Sequence, residues 1–243
     1  MKIAEFLKVT AIDYSGKIAS GVFVSGCNYR CPACHNKNVV FENSSIDEEE
    51  IFSYLDFSKG FIDGVVISGG EPTIQEDLPN FLRKIKERGL AVKLDTNGSN
   101  PGMMERLLKE KLVDYVAMDV KGPVSLYLEL IGKEGGIFDL RDNLGKGIGL
   151  TACFPEYEYR TTIVPIIENG KARWMTNEEI ADTGNLIYEW TENREHKYFL
   201  QKFVPRKDGL IDSRLESFQE TPDELMKEAY EKVREILPRV KIR

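Results

Sequence analysis

The sequence predicts an α/β fold in which strands and helices alternate around a mainly parallel sheet, and three observations carry that expectation. Short continuous apolar runs, such as Gly64-Val65-Val66-Ile67-Ser68 and Ala91-Val92-Lys93-Leu94-Asp95, read as strands covered on both faces. Between them lie longer segments whose apolar residues recur at helical spacing, the pattern of parallel βαβ units with right-handed crossovers. No Pro/Gly/Ser linker, internal repeat or low-complexity tract divides the 243 residues, so one domain over 1–243 is expected.

Residues 3–9 and 18–24 are β-prone runs flanking the turn-rich Asp13-Tyr14-Ser15-Gly16-Lys17, which predicts an N-terminal hairpin whose second strand feeds a cysteine loop. Asp47 before Glu48, Glu49 and Glu50, with Ile51, Tyr54 and Leu55 at helical spacing, predicts a helix with an acidic first turn. The Val65 strand stops at Gly69-Gly70. Leu78, Phe81, Leu82 and Ile85 then mark a helix closed by Gly89. After the Val92 strand, Asn100 offers an N-cap and Pro101 a first helical residue.

Residues 114–119 and 159–164 predict two more strands. Between them, 123–150 keeps helical spacing at Leu126 and Leu130 but is glycine-rich after Gly132, so an irregular connection is expected there. Thr176 with Glu179 makes a capping box, 197–204 a last strand, 205–220 a polar loop, and Thr221-Pro222-Asp223-Glu224 a capped start for a final helix. Counting the strand before the cysteines, six parallel strands make a partial barrel or an open doubly wound sheet.

Composition narrows the function classes. Hydrophobic content of 42% and charged content of 30% are those of an ordinary globule. The net charge of −7 argues against broad nucleic-acid binding. No apolar run approaches the twenty or so residues that span a bilayer, and no long apolar stretch follows Met1, so a cytoplasmic chain without a membrane partner is expected.

Three of the four cysteines, Cys27, Cys31 and Cys34, fall within eight residues. Clustered thiols in a chain with no export signal read as metal ligands, and thiolates suit iron–sulfur clusters and zinc alike. A zinc would want a fourth ligand, for which His35 is the adjacent though strained choice. A four-iron cluster on three cysteines keeps one iron open. Cys153, far off in sequence, is a small packing residue.

The remaining chemistry sits at the C-terminal ends of predicted strands, the face where parallel α/β folds build their sites. Gly69 and Gly70 let backbone approach a ligand, and Glu71 can accept from an ammonium group. Asp95, Thr96 and Asp119 offer hard oxygens for a cation or hydroxyls, while Lys121 and Arg160 offer charge for a carboxylate. Each segment alone is an ordinary turn or a solvated strand end. Together they describe a pocket for a zwitterion carrying an amine and a carboxylate.

With these residues in place, the sequence resembles the radical S-adenosylmethionine (radical SAM) superfamily, through the Cys27/Cys31/Cys34 loop and Gly69-Gly70-Glu71-Pro72. The segments Cys34-His35-Asn36, Asp95-Thr96-Asn97-Gly98, Met118-Asp119-Val120-Lys121 and Tyr159 to Pro165 are similar to glycyl-radical-enzyme activases, particularly those of anaerobic ribonucleoside-triphosphate reductase. The resemblance implies a single-domain partial (β/α)6 TIM-type barrel. It also implies a [4Fe–4S] cluster on the three cysteines, whose open iron takes the amine and carboxylate of S-adenosylmethionine.

By the same resemblance Gly69, Gly70 and Glu71 would meet the methionine amine, and Asn97, Lys121 and Arg160 would lie close to the cofactor. Asp95, Thr96 and Asp119 would hold a monovalent cation. One electron from a flavodoxin- or ferredoxin-type donor would release a 5′-deoxyadenosyl radical, which takes hydrogen from a glycine of a partner glycyl radical enzyme. Ala33 departs from the family, where the residue before the third cysteine is commonly aromatic and packs near adenine. Tyr29 or backbone would have to serve instead, and His35 is a further cofactor-contact candidate. The other outcomes to test are the same chemistry on a nucleic acid or small molecule, and a zinc-stapled module without catalysis.

Overall fold

The computed structural model describes all of the chain except residues 42–45, 134–136, 169 and 206–208. Strands β1 (Ile3–Thr10) and β2 (Ala19–Val24) form the expected antiparallel hairpin, with Leu7 opposite Gly21 and Thr10 opposite Ala19. From β2 the sheet runs parallel through β3 (Gly64–Gly69), β4 (Ala91–Thr96), β5 (Tyr115–Asp119) and β6 (Glu156–Ile163). A separate hairpin, β7 (Pro165–Glu168) with β8 (Lys171–Trp174), follows. The main sheet resumes with β9 (Tyr198–Lys202) beside β6, then β10 (Val240–Ile242) beside β9.

The eight-stranded order is β1-β2-β3-β4-β5-β6-β9-β10. The six predicted parallel strands are all present, and β10 adds a seventh. At three residues it is too short for alternation to announce it.

Local chemistry explains where the helices begin and end. A short helix α1 (Lys37–Phe41) follows the cysteine loop, and α2 (Glu48–Phe57) is capped by Asp47, whose carboxylate accepts from Glu49 N at 3.0 Å. Helix α3 (Leu78–Glu87) is followed by Gly89 at φ 75°, a conformation glycine adopts without penalty. Asn100 accepts from Met103 N at 3.2 Å at the head of α4 (Pro101–Lys109). Helix α5 (Tyr127–Ile131) stops at the left-handed Gly132.

The expected break falls at residues 132–133, with 134–136 outside the described residues, and the glycines beyond it belong to a helix, α6 (Ile137–Thr151). Its glycines serve close packing: a Cβ on Gly145 would collide with the Trp190 ring, and one on Gly147 with the carbonyl of Gly98. The box of Thr176 and Glu179 opens α7 (Asn177–Thr191) as predicted. That expected for α8 (Asp223–Ile236) does not form, because the Thr221 hydroxyl accepts from Phe203 N at 2.7 Å and donates to Ile163 O at 2.9 Å.

Strand residues such as Val22, Val65, Ile67, Val92, Leu94 and Val116 join the helices in one large core. On the opposite face, Ala19, Val66, Tyr115 and Ala117 gather only a small cluster around Tyr14. Closed barrels of this kind fill their interior with apolar layers. Here Lys93, Asp95, Tyr115, Glu158, Arg160 and Gln201 line a cavity on that inner face, and among the described residues β1 and β10 remain unjoined edges.

Candidate active site

The cysteine loop leaves β2 at Val24 and is seated on the end of β3. Gly70 N donates to Val24 O and Glu71 N to Gly26 O, each at 2.9 Å. A Cβ on Gly70 would run into Gly26 O, and Gly69 sits at φ 106°, so the paired glycines let one backbone lie directly on the other. Further bonds clasp the loop from distant segments. Arg30 N donates to Ile131 O at 2.8 Å and Asp212 N to Pro32 O at 3.0 Å.

All three cysteines line one cavity of about 140 Å³ together with ten of the twelve other predicted site residues: Tyr29, Gly69, Gly70, Glu71, Asp95, Thr96, Asn97, Asp119, Lys121 and Arg160. Ala33 and His35 border an adjoining space of about 260 Å³, which shares Cys31, Cys34, Asp119, Lys121 and Arg160 with the first. Ala33 packs against a satellite cluster of Phe203, Leu210, Leu215 and Trp174. The His35 ring lies 5.5 Å from that of Phe203. Aromatic surface beside the third cysteine therefore comes from the segment after β9 rather than from position 33.

Glu71 is tied closely to its neighbours. Its carboxylate is buried, and its Oε1 accepts from Thr73 N at 3.0 Å, Thr73 Oγ1 at 2.5 Å and Thr96 Oγ1 at 2.7 Å. Its Oε2 accepts from Asn97 N at 2.7 Å. Burial raises its pKa, while these donors pull the other way. Its carboxylate is thus a buckle between the ends of β3 and β4.

An alternating chain of charges crosses the mouth of the barrel. Lys93 Nζ lies 2.5 Å from Asp95, Arg160 lies 3.4 Å from Asp95 and 2.8 Å from Asp119, and Lys121 Nζ lies 3.1 Å from Asp119. Burial alone would raise the Asp119 pKa, but Arg160 and Lys121 hold it well below the usual carboxylate range. Burial likewise opposes the charged forms of Lys121 and Arg160, yet Asp119 keeps both raised. Asp95, Thr96 and Asp119, the residues implied for a monovalent cation, line the same cavity. The Arg160 guanidinium stands between the two carboxylates, and the Thr96 hydroxyl is committed to Glu71.

Burial pushes the Cys31 thiol up to about 11 and raises Cys27 as well, with Lys121 pulling both back. Tyr29 N donates to Cys27 Sγ at 3.4 Å. Three thiols on one cavity, a backbone N–H aimed at sulfur and an ammonium close by form a donor set that fits an iron–sulfur cluster. Besides Asn36, Val40 and Ser68 in the cavity lining, Lys93 and Asn28 contribute from outside the predicted set. Lys93 is signalled in the sequence, being two residues before Asp95 and so on the same strand face. Asn28 is not: its amide donates to Ser99 Oγ at 2.7 Å and its oxygen accepts from Asn97 Nδ2 at 3.0 Å, joining the cysteine loop to the loop after β4.

Residues 22–146, more than half of the chain, match the family model of the Radical SAM superfamily. The chain belongs to the radical SAM superfamily. A [4Fe–4S] cluster and S-adenosylmethionine are accordingly the cofactors of this radical SAM enzyme, and Cys27, Cys31 and Cys34 lie inside the matched segment. Membership sets aside the zinc-stapled, non-catalytic alternative.

The radical SAM chain is 36% identical over 207 residues to a protein of Methanocaldococcus jannaschii named as a candidate glycyl-radical enzyme activating enzyme, covering 84% of this chain and 80% of that one. It is 35% identical over 111 residues to the pyruvate formate-lyase-activating enzyme of Clostridium pasteurianum, covering 43% and 46%. Among solved structures, QueE from Escherichia coli superposes with a TM-score of 0.58 at 15% identity, covering 99% of this chain and 92% of that one. Streptococcus suis SuiB gives 0.59 at 15% identity, with 90% of this chain on 47% of that one. At such identities these two show the fold alone, a partial TIM-type barrel. No helix among the described residues is long and apolar enough to cross a membrane.

Proposed function

We propose that this radical SAM enzyme activates a glycyl radical enzyme by removing hydrogen from a backbone glycine of that partner, and that the partner is an anaerobic ribonucleotide reductase. The observation that carries the activase assignment is the 36% identity to the Methanocaldococcus jannaschii protein over most of both chains. The chain motifs Asp95-Thr96-Asn97-Gly98 and Met118-Asp119-Val120-Lys121 support the reductase subgroup. The electron donor is a flavodoxin- or ferredoxin-type protein.

Cluster and S-adenosylmethionine, when bound, supply a 5′-deoxyadenosyl radical by one-electron cleavage. The protein's contribution is placement. Cys27, Cys31 and Cys34 hold the cluster, and Lys121 adds positive charge beside the sulfurs. Backbone at Gly69 and Gly70 would meet the ligand's amine, while Lys121 and Arg160 would attract its carboxylate. Glu71, with its donors Thr73, Thr96 and Asn97, fixes the two strand ends between which the ligand sits. Phe203, His35 and Ala33 bound the adjoining space, which is apolar enough for an adenine. An open barrel suits a substrate that brings its own enclosure, since a folded partner can exclude water once docked.

The test is anaerobic incubation of the reconstituted enzyme, S-adenosylmethionine and a one-electron reductant with candidate glycyl radical enzymes. A glycine-centred electron paramagnetic resonance signal on the reductase, and weaker or none on a formate lyase, is the expected outcome. Cleavage to methionine and 5′-deoxyadenosine with no glycine signal on any partner would overturn the activase assignment. A signal confined to another partner would overturn the reductase assignment alone.

A further inference from the structure

Below the charge chain the barrel interior stays open. A cavity of about 560 Å³ begins at Asp95 and Arg160, which also border the cysteine cavity, and continues past Gln201. It shares Tyr115, Glu158 and Arg243 with a second space of about 570 Å³ at the N-terminal ends of the strands. The two make one trough. From Arg160 to Glu156 along β6 is four residues, about 13 Å, which an extended peptide spans in about four residues.

The far mouth of the trough is basic. Lys197, Arg239, Lys241 and Arg243 face Glu156 and Glu158 there. Arg243 is committed, with its guanidinium 2.9 and 3.1 Å from the Glu158 oxygens and 3.8 Å from the Phe199 ring centroid. Lys197 stands 4.0 Å from Glu156. Among the described residues Arg239 and Lys241 have no carboxylate partner, and Arg239 donates only to the carbonyl of Glu195, at 3.3 Å. Two uncompensated cations at the end of an open channel are notable in a chain of net charge −7. Midway, the Gln201 amide makes no side-chain hydrogen bond among the described residues, and an amide presents the donor and acceptor that match a peptide group.

Resting on the activase assignment, we infer that the trough takes an extended peptide segment of the partner, with the reacting glycine near Arg160 and an Asp or Glu about four residues away held by Arg239 and Lys241. The carboxylate is the shared chemistry, and its source is a peptide rather than a small acid. Electrostatic selection at this mouth would set which glycine-bearing loops are accepted.

The experiment measures binding of labelled peptides of about ten residues to the full-length, cluster-reconstituted enzyme by fluorescence anisotropy under anaerobic conditions. One set carries a central glycine with glutamate about four residues to either side, the other glutamine instead. The glutamate peptide should bind roughly tenfold tighter at low salt, an advantage that fades as salt is added. The neutralising double variant Arg239→Gln with Lys241→Gln should erase the difference while leaving the glutamine peptide's affinity unchanged. Both positions are exposed, so the fold should tolerate the exchange. Equal binding of the two peptides, or a glutamate preference that survives in the variant, overturns the basic mouth alone. Free glutarate competing as well as the glutamate peptide overturns the peptide as its occupant. If neither peptide binds at all, the protein-substrate assignment itself fails.

Discussion

Glu71 carries more of the site's integrity than its place in a sequence motif suggests. Four donors converge on its two oxygens, three of them on one. An amide has only one acceptor oxygen, so Glu71→Gln must leave at least one buried donor facing another. The expected cost is about 1–3 kcal/mol, read as a lower urea midpoint with unchanged slope. Asp119 makes a pH prediction. Its folded pKa is depressed, so its ionised form stabilises the fold at neutral pH; that contribution starts to decline as pH falls below the ordinary carboxylate value of about 4 and is lost in full only once pH falls below the depressed folded value. The stability gap between wild type and Asp119→Asn should therefore be constant from pH 7 down to about 5 and narrow steadily as pH falls below about 4. A gap that stays constant through that fall would contradict the ion chain. Residue types and strand-end positions were enough to assemble nearly all of this cavity from sequence. What they could not supply was who already holds whom: a free carboxylate and one saturated by Thr73, Thr96 and Asn97 are spelled alike.

Helix α6 shows how an element can couple to the site from behind. Gly147 abuts the carbonyl of Gly98, and Gly98 follows Asn97, whose N–H is a Glu71 donor. Gly147→Ala should overpack this contact at a cost of about 1–3 kcal/mol and weaken S-adenosylmethionine binding. Gly149 is the control, because a Cβ there meets Trp190 O at an ordinary 3.6 Å. Gly149→Ala should be neutral or stabilise by up to about 1 kcal/mol through helix propensity. Thermal unfolding and ligand titration of the pair separate packing from propensity. Caps at Asn100 and Thr176 were readable because each uses residues within three positions. Thr221 had the same local pattern, yet its hydroxyl went to Ile163 and Phe203, which are distant in sequence. The helical character of 137–151 was hidden for a related reason, since its glycines answer to Trp190 and Gly98 rather than to local preference.

The whole molecule is an open shell whose inner wall is charged and whose outer wall carries the core. Continuous apolar runs revealed the strands in the sequence but read as covered on both faces, so the charged inner wall went unseen, and barrel closure depends on how far the last short strand β10 stands from β1, which no local pattern encodes. The bond from Asp212 N to Pro32 O, with Ala33 packed among Phe203, Leu210 and Leu215, joins the cysteine loop to a segment about 180 residues later. Iron loading should therefore be felt at 209–218. Hydrogen exchange there should slow when the cluster is assembled and return to its earlier rate on chelation, while exchange in α3 stays unchanged. Unaltered exchange at 209–218 would show that the clasp is not coupled to the metal. If the coupling holds, iron starvation would do more than leave the protein inactive. It would loosen the loop after β9 and mark empty molecules for proteolysis, so that cellular turnover keeps the surviving population matched to the iron supply.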